Sequence, residues 1–157
     1  MIHHLSFSAI NPLRVAEVLA KIWGGTVAPF PAHPASYMVL AMDDYGTMIE
    51  VYPAGTEAVP GGGQAPVIFS HNAMASSYSG THIAISVPTT QAQIEQIAAQ
   101  EGWRCVHCDR DGFFEVIELW VENRILVELL PPALTPKYLN FMQPANLEKL
   151  LAMPVEA

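Results

Sequence analysis

Four side chains in this sequence have the types and spacing to hold a divalent cation: His4, Glu50, His82 and Glu128. Glu128 stands in "RILVELLPP" (124–132), flanked by Leu126, Val127, Leu129 and Leu130. An ionised carboxylate in apolar surroundings is costly unless a cation, a metal or strong hydrogen-bond donors compensate it. Glu50 stands in a similar run, "MIEVYP" (48–53). Two imidazoles and two carboxylates suit Zn, Ni, Co, Mn or Fe, with one or two coordination positions left for water or substrate. Taken singly, each residue has a plainer role. A strand histidine is usually a hydrogen-bonded structural residue, and a buried glutamate is usually paired with an arginine, here Arg104 or Arg124.

Repetition raises the metal reading above the plainer one. An offset of 78 residues aligns "HLSFSAIN" (4–11) with "HIAISVPT" (82–89), and "MIEVYP" (48–53) with "LVELLP" (126–131), without a gap. It superimposes His4 on His82, Ser8 on Ser86, Gly24 on Gly102, Glu50 on Glu128 and Pro53 on Pro131. The apolar neighbours correspond as well, Leu5 with Ile83, Phe7 with Ile85, Ile49 with Val127 and Val51 with Leu129. A match at both chemical and apolar positions is the signature of an internal duplication.

The elements that must position these residues follow from periodicity. Leu5, Phe7 and Ala9 alternate with His4, Ser6 and Ser8, so the first segment is a strand with His4 on the face opposite the apolar set. His82 stands in the same relation to Ile83, Ile85 and Val87. His3 shares parity with Leu5 and is the weaker candidate of the "HH" pair. A helix follows each strand. Asn11 with Pro12, and Thr90 with Gln93, are helix starts, while Gly24–Gly25 and Gly102 mark the ends. Three more strands complete each copy, at 26–31, 37–42 and 47–52, then 103–108, 113–121 and 124–130, with "DDYG" (43–46) and "EN" (122–123) as tight connections. The expected fold class is therefore α+β, two tandem βαβββ modules at 1–53 and 81–132. The Gly-, Pro- and Ser-rich stretch 54–80 reads as a linker or lid. The tail, 133–157, reads as holding a short helix near 145–152.

Composition narrows the function classes. A formal charge of −8, with only seven Lys and Arg and no basic run, disfavours nucleic acid and anionic membrane surfaces. No apolar stretch reaches the 18–20 or so residues of a membrane span, and the first residues lack the pattern of a signal peptide. Two cysteines are too few for a disulfide scaffold, which makes a reducing cytoplasm the expected compartment. They form "CVHC" (105–108), but on a strand residues three apart point to opposite faces, and no second ligand pair of similar spacing exists.

With His4 and His82 opening the copies and Glu50 and Glu128 near their ends, the chain resembles the vicinal oxygen chelate superfamily over roughly 1–132. That group includes glyoxalase I, methylmalonyl-CoA epimerase, extradiol dioxygenases and bleomycin-resistance-type binding proteins. The resemblance implies a curved, cupped mixed sheet with helices on the outer face, one divalent metal ion held by His4, Glu50, His82 and Glu128, a small-molecule substrate and a homodimer. The His, Glu, His, Glu order is similar to that of metal-dependent glyoxalase I. It implies a lyase or isomerase in which the metal binds two adjacent substrate oxygens and Glu50 or Glu128 moves a proton next to a carbonyl. The alternatives are an iron-dependent ring-cleaving dioxygenase and a metal-free binding protein. Met48, Tyr52, Trp120, Leu126 and Leu130 are candidate pocket residues, although plain core packing is the commoner role for such residues. Arginine or lysine clamps for glutathione or coenzyme A are not evident in the sequence.

Overall fold

The alternation in "HLSFSA" becomes strand β1 (His4–Ala9) in the computed structural model, which describes residues 2–151. The chain divides into two compact units. One runs up to Thr81 and takes in Val121–Ile125; the other comprises His82–Trp120 and the chain from Leu126 onward.

In the first unit β1 is followed by α1 (Pro12–Trp23), β2 (Thr26–Pro29), β3 (Tyr37–Leu40) and β4 (Met48–Pro53). The sheet order is β1-β4-β3-β2, with β1 and β4 parallel and the remaining pairs antiparallel. Helix α1 starts where Asn11 Oδ1 accepts from the backbone N–H of Arg14 at 3.2 Å, and Pro12 occupies the first turn. It ends at Gly24, whose φ of 72° is left-handed. A second anchor comes from Glu122, whose carboxylate accepts from the N–H groups of Ile10 and Asn11 at 2.6 and 2.7 Å. Negative charge there complements the positive end of the helix. Val15, Val18, Leu19 and Ile22 are buried on α1, and Phe7, Val39, Ile49 and Val51 are buried on the sheet. The register places Leu5, Ile49 and Val39 side by side, so one sheet face and one helix face share the core.

Strands β2 and β3 are shorter than the expected 26–31 and 37–42. Pro29 and Pro31 cannot donate to a ladder, and Met42 adopts a φ of +61° that leaves the strand region. The stretch expected as linker or lid contains a hairpin, β5 (Thr56–Val59) paired antiparallel with β6 (Ile68–His71). Val59, Val67, Ile68 and Phe69 supply strand-forming residues on either side of Gly61–Gly63, and composition alone conceals them.

The second unit repeats the plan with β7 (Ile83–Ser86), α2 (Gln91–Glu101), β8 (Arg104–Arg110), β9 (Phe114–Val121) and β10 (Ile125–Leu130), in the order β7-β10-β9-β8. Thr90 and Gln93 form the expected capping box, and Gly102 closes α2 with a φ of 68°. Ile94, Ile97, Ala98, Ile117, Leu119, Val127 and Leu129 form the buried core. Strand β8 runs past residue 108 to Arg110. Asp111 and Gly112, both at positive φ, make the tight turn that lets Arg110 pair with Phe114. Glu122 and Asn123, at φ 51° and 56°, turn the chain between β9 and β10 as expected. The tail holds two helices, α3 (Thr135–Phe141), which was not expected, and α4 (Pro144–Leu151) in place of 145–152; residue 152 lies outside the described residues. The Thr135 hydroxyl, at the first residue of α3, donates to the carbonyls of Leu130 and Pro131 at 2.9 and 3.0 Å and ties the helix to the end of β10. Among the described residues no helix is long and apolar enough to cross a membrane.

Candidate metal centre

Parallel pairing of β1 with β4 sets Ser6 beside Glu50, His4 beside Met48 and Ser8 beside Tyr52. Paired residues share a face, so these six lie opposite the set that includes Phe7, Ile49 and Val51. His4 and Glu50 thus occupy diagonal positions on one face. Glu50 is 6 % exposed. Its Oε2 accepts from the Ser6 hydroxyl at 2.7 Å and from the Tyr52 hydroxyl at 2.8 Å, which satisfies a charge that would otherwise be stranded. Burial, reinforced by the hydrogen bond to Glu50 and its negative charge, pushes the Tyr52 phenol up to about 12. It therefore remains a donor. Tyr52 in turn is enclosed by rings from three other places in the chain. Phe30, His33 and Phe69 stand at centroid distances of 5.8, 5.2 and 5.2 Å, and His33 meets Phe69 at 5.0 Å. His33 Nδ1 lies 2.7 Å from the hydroxyl of the buried Ser36, which fixes its ring. His4 is exposed, and His3 Nδ1 is 2.8 Å from the carbonyl of Tyr45.

The second unit uses the same register step. β7 and β10 pair in parallel with Ala84 beside Glu128, and His82 lies two residues before Ala84, as His4 lies two residues before Ser6. His82 is exposed and immediately precedes β7. Glu128, however, has a different partner. Arg110 Nη2 donates to Glu128 Oε1 at 2.5 Å and to Glu118 Oε1 at 2.7 Å, so one nitrogen bridges two carboxylates. The Trp120 indole N–H donates to the other oxygen of Glu118 at 3.2 Å. The Glu118 and Glu128 side chains are 17 % and 15 % exposed, so the pair is shielded from water. Hydrogen bonds to Glu118 and Glu128 push the Arg110 guanidinium well above its ordinary value. Arg110 holds the Glu118 carboxyl below its ordinary range against the opposing effect of burial, and Trp120 adds to the lowering.

The cation that compensates Glu128 is therefore Arg110 rather than Arg104 or Arg124. Arg124 instead donates from Nε to the Ser77 carbonyl at 3.1 Å. The difference arises because β8 runs two residues beyond 108. Once the Asp–Gly turn extends the strand to Arg110, alternation from Arg110 through Glu118 to Trp120 puts all three on one face. Ser6 and Tyr52 as partners of Glu50 were readable from parity in the same way; His33 and Phe69 were not, because they reach Tyr52 from loop and hairpin.

Within neither unit are three His, Cys, Asp or Glu side chains, among the described residues, grouped so as to hold a metal ion. Each unit offers one candidate imidazole and one candidate carboxylate. The donor types suit a divalent cation, but one imidazole and one carboxylate in a unit do not make a metal site, and Arg110 already neutralises Glu128. The "CVHC" pair behaves as strand residues. Cys105 pairs with Leu119 and Cys108 with Val116, three apart and on opposite faces. Both are free thiols, and burial pushes Cys105 up to about 11.

No protein-family model and no curated protein matches the sequence. Solved structures do. The fosfomycin resistance protein FosX of Listeria monocytogenes superposes with a TM-score of 0.55 at 12% identity, covering 87% of this chain and 97% of that one. The same protein complexed with Mn(II) and sulfate gives 0.52 at 12%, over 82% and 86% of the two chains. FosX of Mesorhizobium loti gives 0.52 at 13%, over 88% and 96%. A glyoxylase/bleomycin resistance protein/dioxygenase domain from Frankia gives 0.50 at 11%, over 82% and 94%. At such identities the likeness concerns the backbone. Sheet order, helix placement and duplication agree with it: the chain has the fold of these structures, as the resemblance implied.

Proposed function

We propose that this chain is a divalent-metal-dependent lyase or isomerase of the glyoxalase-like kind, which moves a proton next to a carbonyl on a small oxygen-chelating substrate. The observation that supports it is the repeated register. In both parallel strand pairs a glutamate stands opposite a small residue, with a histidine two positions earlier on the partner segment. One such arrangement is an ordinary structural histidine beside a buried acid; two equivalent ones in a duplicated chain favour a shared use. His4, Glu50, His82 and Glu128 are the ligands in this reading. A manganese-bearing neighbour with the same fold adds support.

A bound metal would supply Lewis acidity, polarising the substrate carbonyl and stabilising the negative charge of an enediolate. The chain's own residues divide the remaining work. Ser6 and Tyr52 fix the Glu50 carboxylate by two hydrogen bonds, which makes it the stationary ligand. Glu128, whose Oε1 is engaged by Arg110, is in this reading the carboxylate that accepts the substrate proton. Tyr52, as a neutral phenol, holds its proton toward Glu50 Oε2.

Elemental analysis and carbon–deuterium exchange test this together. The purified protein is expected to carry about one equivalent of metal and to exchange the proton beside the carbonyl of small α-hydroxycarbonyls in heavy water. Glu128→Gln is expected to lose that exchange by at least about 100-fold, the usual contribution of a general base. A metal-free protein with no exchange defeats the proposal. One observation favours a second reading, a metal-free small-molecule binding protein: both glutamates already have partners within the chain. Metal-free protein that retains a ligand through purification would favour it.

A further inference from the structure

We infer that hairpin β5–β6 is a lid over the Glu50 carboxylate, latched by the Phe69 ring and lifted to admit a ligand. Its purpose rests on the reading above, in which Glu50 serves the site, and it adds a gate to that reading. Glu50 is nearly sealed, yet both of its hydroxyl donors sit on Oε2. Oε1 takes no hydrogen bond from any described residue and is left for whatever enters. The Tyr52 hydroxyl closes one side of the carboxylate, and Phe69 holds the Tyr52 ring. Phe69 lies on Tyr52 at 5.2 Å with the planes tilted by 33°, an offset stack, and meets His33 nearly edge-on. The two sides of this contact are unequally anchored. Tyr52 lies in β4, between β1 and β3, and His33 is pinned at Nδ1 by Ser36, whose carbonyl accepts from the Phe30 N–H at 2.8 Å. Phe69 rides on a two-stranded ribbon with no third strand beside it, and such a ribbon is marginal by itself. No residue of either strand is buried, and Phe69 is the half-buried residue of β6. The ribbon leaves β4 through Gly55 at φ 85°, where a Cβ would meet the Asn72 carbonyl oxygen at 2.7 Å, so the joint is built for glycine. Segments with so little burial open at lower cost than a packed sheet. Lifting the ribbon withdraws Phe69, frees the Tyr52 ring to turn and uncovers Glu50.

The test uses the full-length protein and needs no metal. Amide hydrogen exchange reads the ribbon. A water-soluble carbodiimide with glycinamide, followed by mass spectrometry of the Glu50 peptide, reads access to the carboxylate. In the wild type the amides of 56–59 and 68–71 are expected to exchange ahead of those of β4. Phe69→Ala is expected to speed both ribbon exchange and Glu50 amidation by about tenfold, through loss of one packed ring. Glu17, exposed on α1, is expected to label at the wild-type rate. Ile68→Ala alters the exposed neighbour in the same strand and is expected to change either rate by less than about twofold. Phe69→Leu keeps apolar bulk without the ring, covers the case in which the alanine variant unfolds, and is expected to show both changes at about threefold. A ribbon that exchanges no faster than β4, a faster ribbon with Glu50 labelled no faster, or an equal rise with Ile68→Ala overturns the lid and leaves the metal reading intact. Metal-free protein without proton exchange defeats that reading and leaves these two rates unaffected.

Discussion

Glu50 and Glu128 show how far a single residue type in an apolar run can be read. That each needs compensation follows from electrostatics alone, and the structure supplies it to both, by two hydroxyls in one case and a guanidinium in the other. The identity of the partners depends on strand ends, and a strand cut two residues short hid Arg110. Tyr52 offers a direct check. Its phenol is held near 12, above its ordinary 10, so the stabilising effect is complete below pH 10 and is lost as pH rises toward 12, when the unfolded chain ionises and the folded one resists. Phenolate absorption is expected to show one tyrosine titrating after the rest, and Tyr52→Phe is expected to remove that late step and the matching alkaline loss of stability. Glu118 runs the other way. Its carboxyl is lowered from 4.5, so its contribution is present above that value and is lost as pH falls below it. Cys105 gives a third check at this scale. With its thiol near 11, thiol-specific reagents are expected to modify it about 100-fold more slowly than a free cysteine at pH 8, measured by release of a chromogenic disulfide product.

At the scale of elements, caps and alternation were the most legible features. Asn11, Thr90, Gly24 and Gly102 sit where local chemistry demands them, because a helix end has to satisfy its own backbone. The hairpin of β5 and β6 and helix α3 were not legible. Both hold few buried residues, and a weakly buried element leaves a weak hydrophobic period. Gly25 illustrates a constraint visible only in space. A Cβ there would lie 2.3 Å from the Leu40 carbonyl oxygen, a backbone atom that cannot swing away. Gly25→Ala is expected to cost about 2 kcal/mol in chemical denaturation, from displacement of α1 relative to β3. Glu122→Ala removes two charge-assisted hydrogen bonds at the start of α1 and is expected to cost about 1–2 kcal/mol in the same assay.

For the whole molecule, the duplication was readable from an offset of 78 residues, and the two four-stranded sheets reproduce it strand for strand. Apolar positions carried the signal, since a core tolerates exchange among Leu, Ile, Val and Phe while keeping the period. The copies differ around the two glutamates. Glu50 lies among hydroxyls and aromatic rings, whereas Glu128 lies beside Arg110, Glu118 and Trp120. A net charge of −8 favours cations throughout, so any metal affinity is expected to fall as sodium chloride is raised, measurable by titrating metal-free protein with manganese(II) chloride.

The turn at Glu122 and Asn123 ties the end of β9 to the start of α1. The carboxylate that anchors the opening of α1 arrives from more than a hundred residues downstream, so the first half no longer owns every group it needs. A gene cut after Thr81 would yield a polypeptide whose leading helix begins with two bare amides. The first copy on its own is therefore expected to hold the start of α1 less firmly than the full chain does.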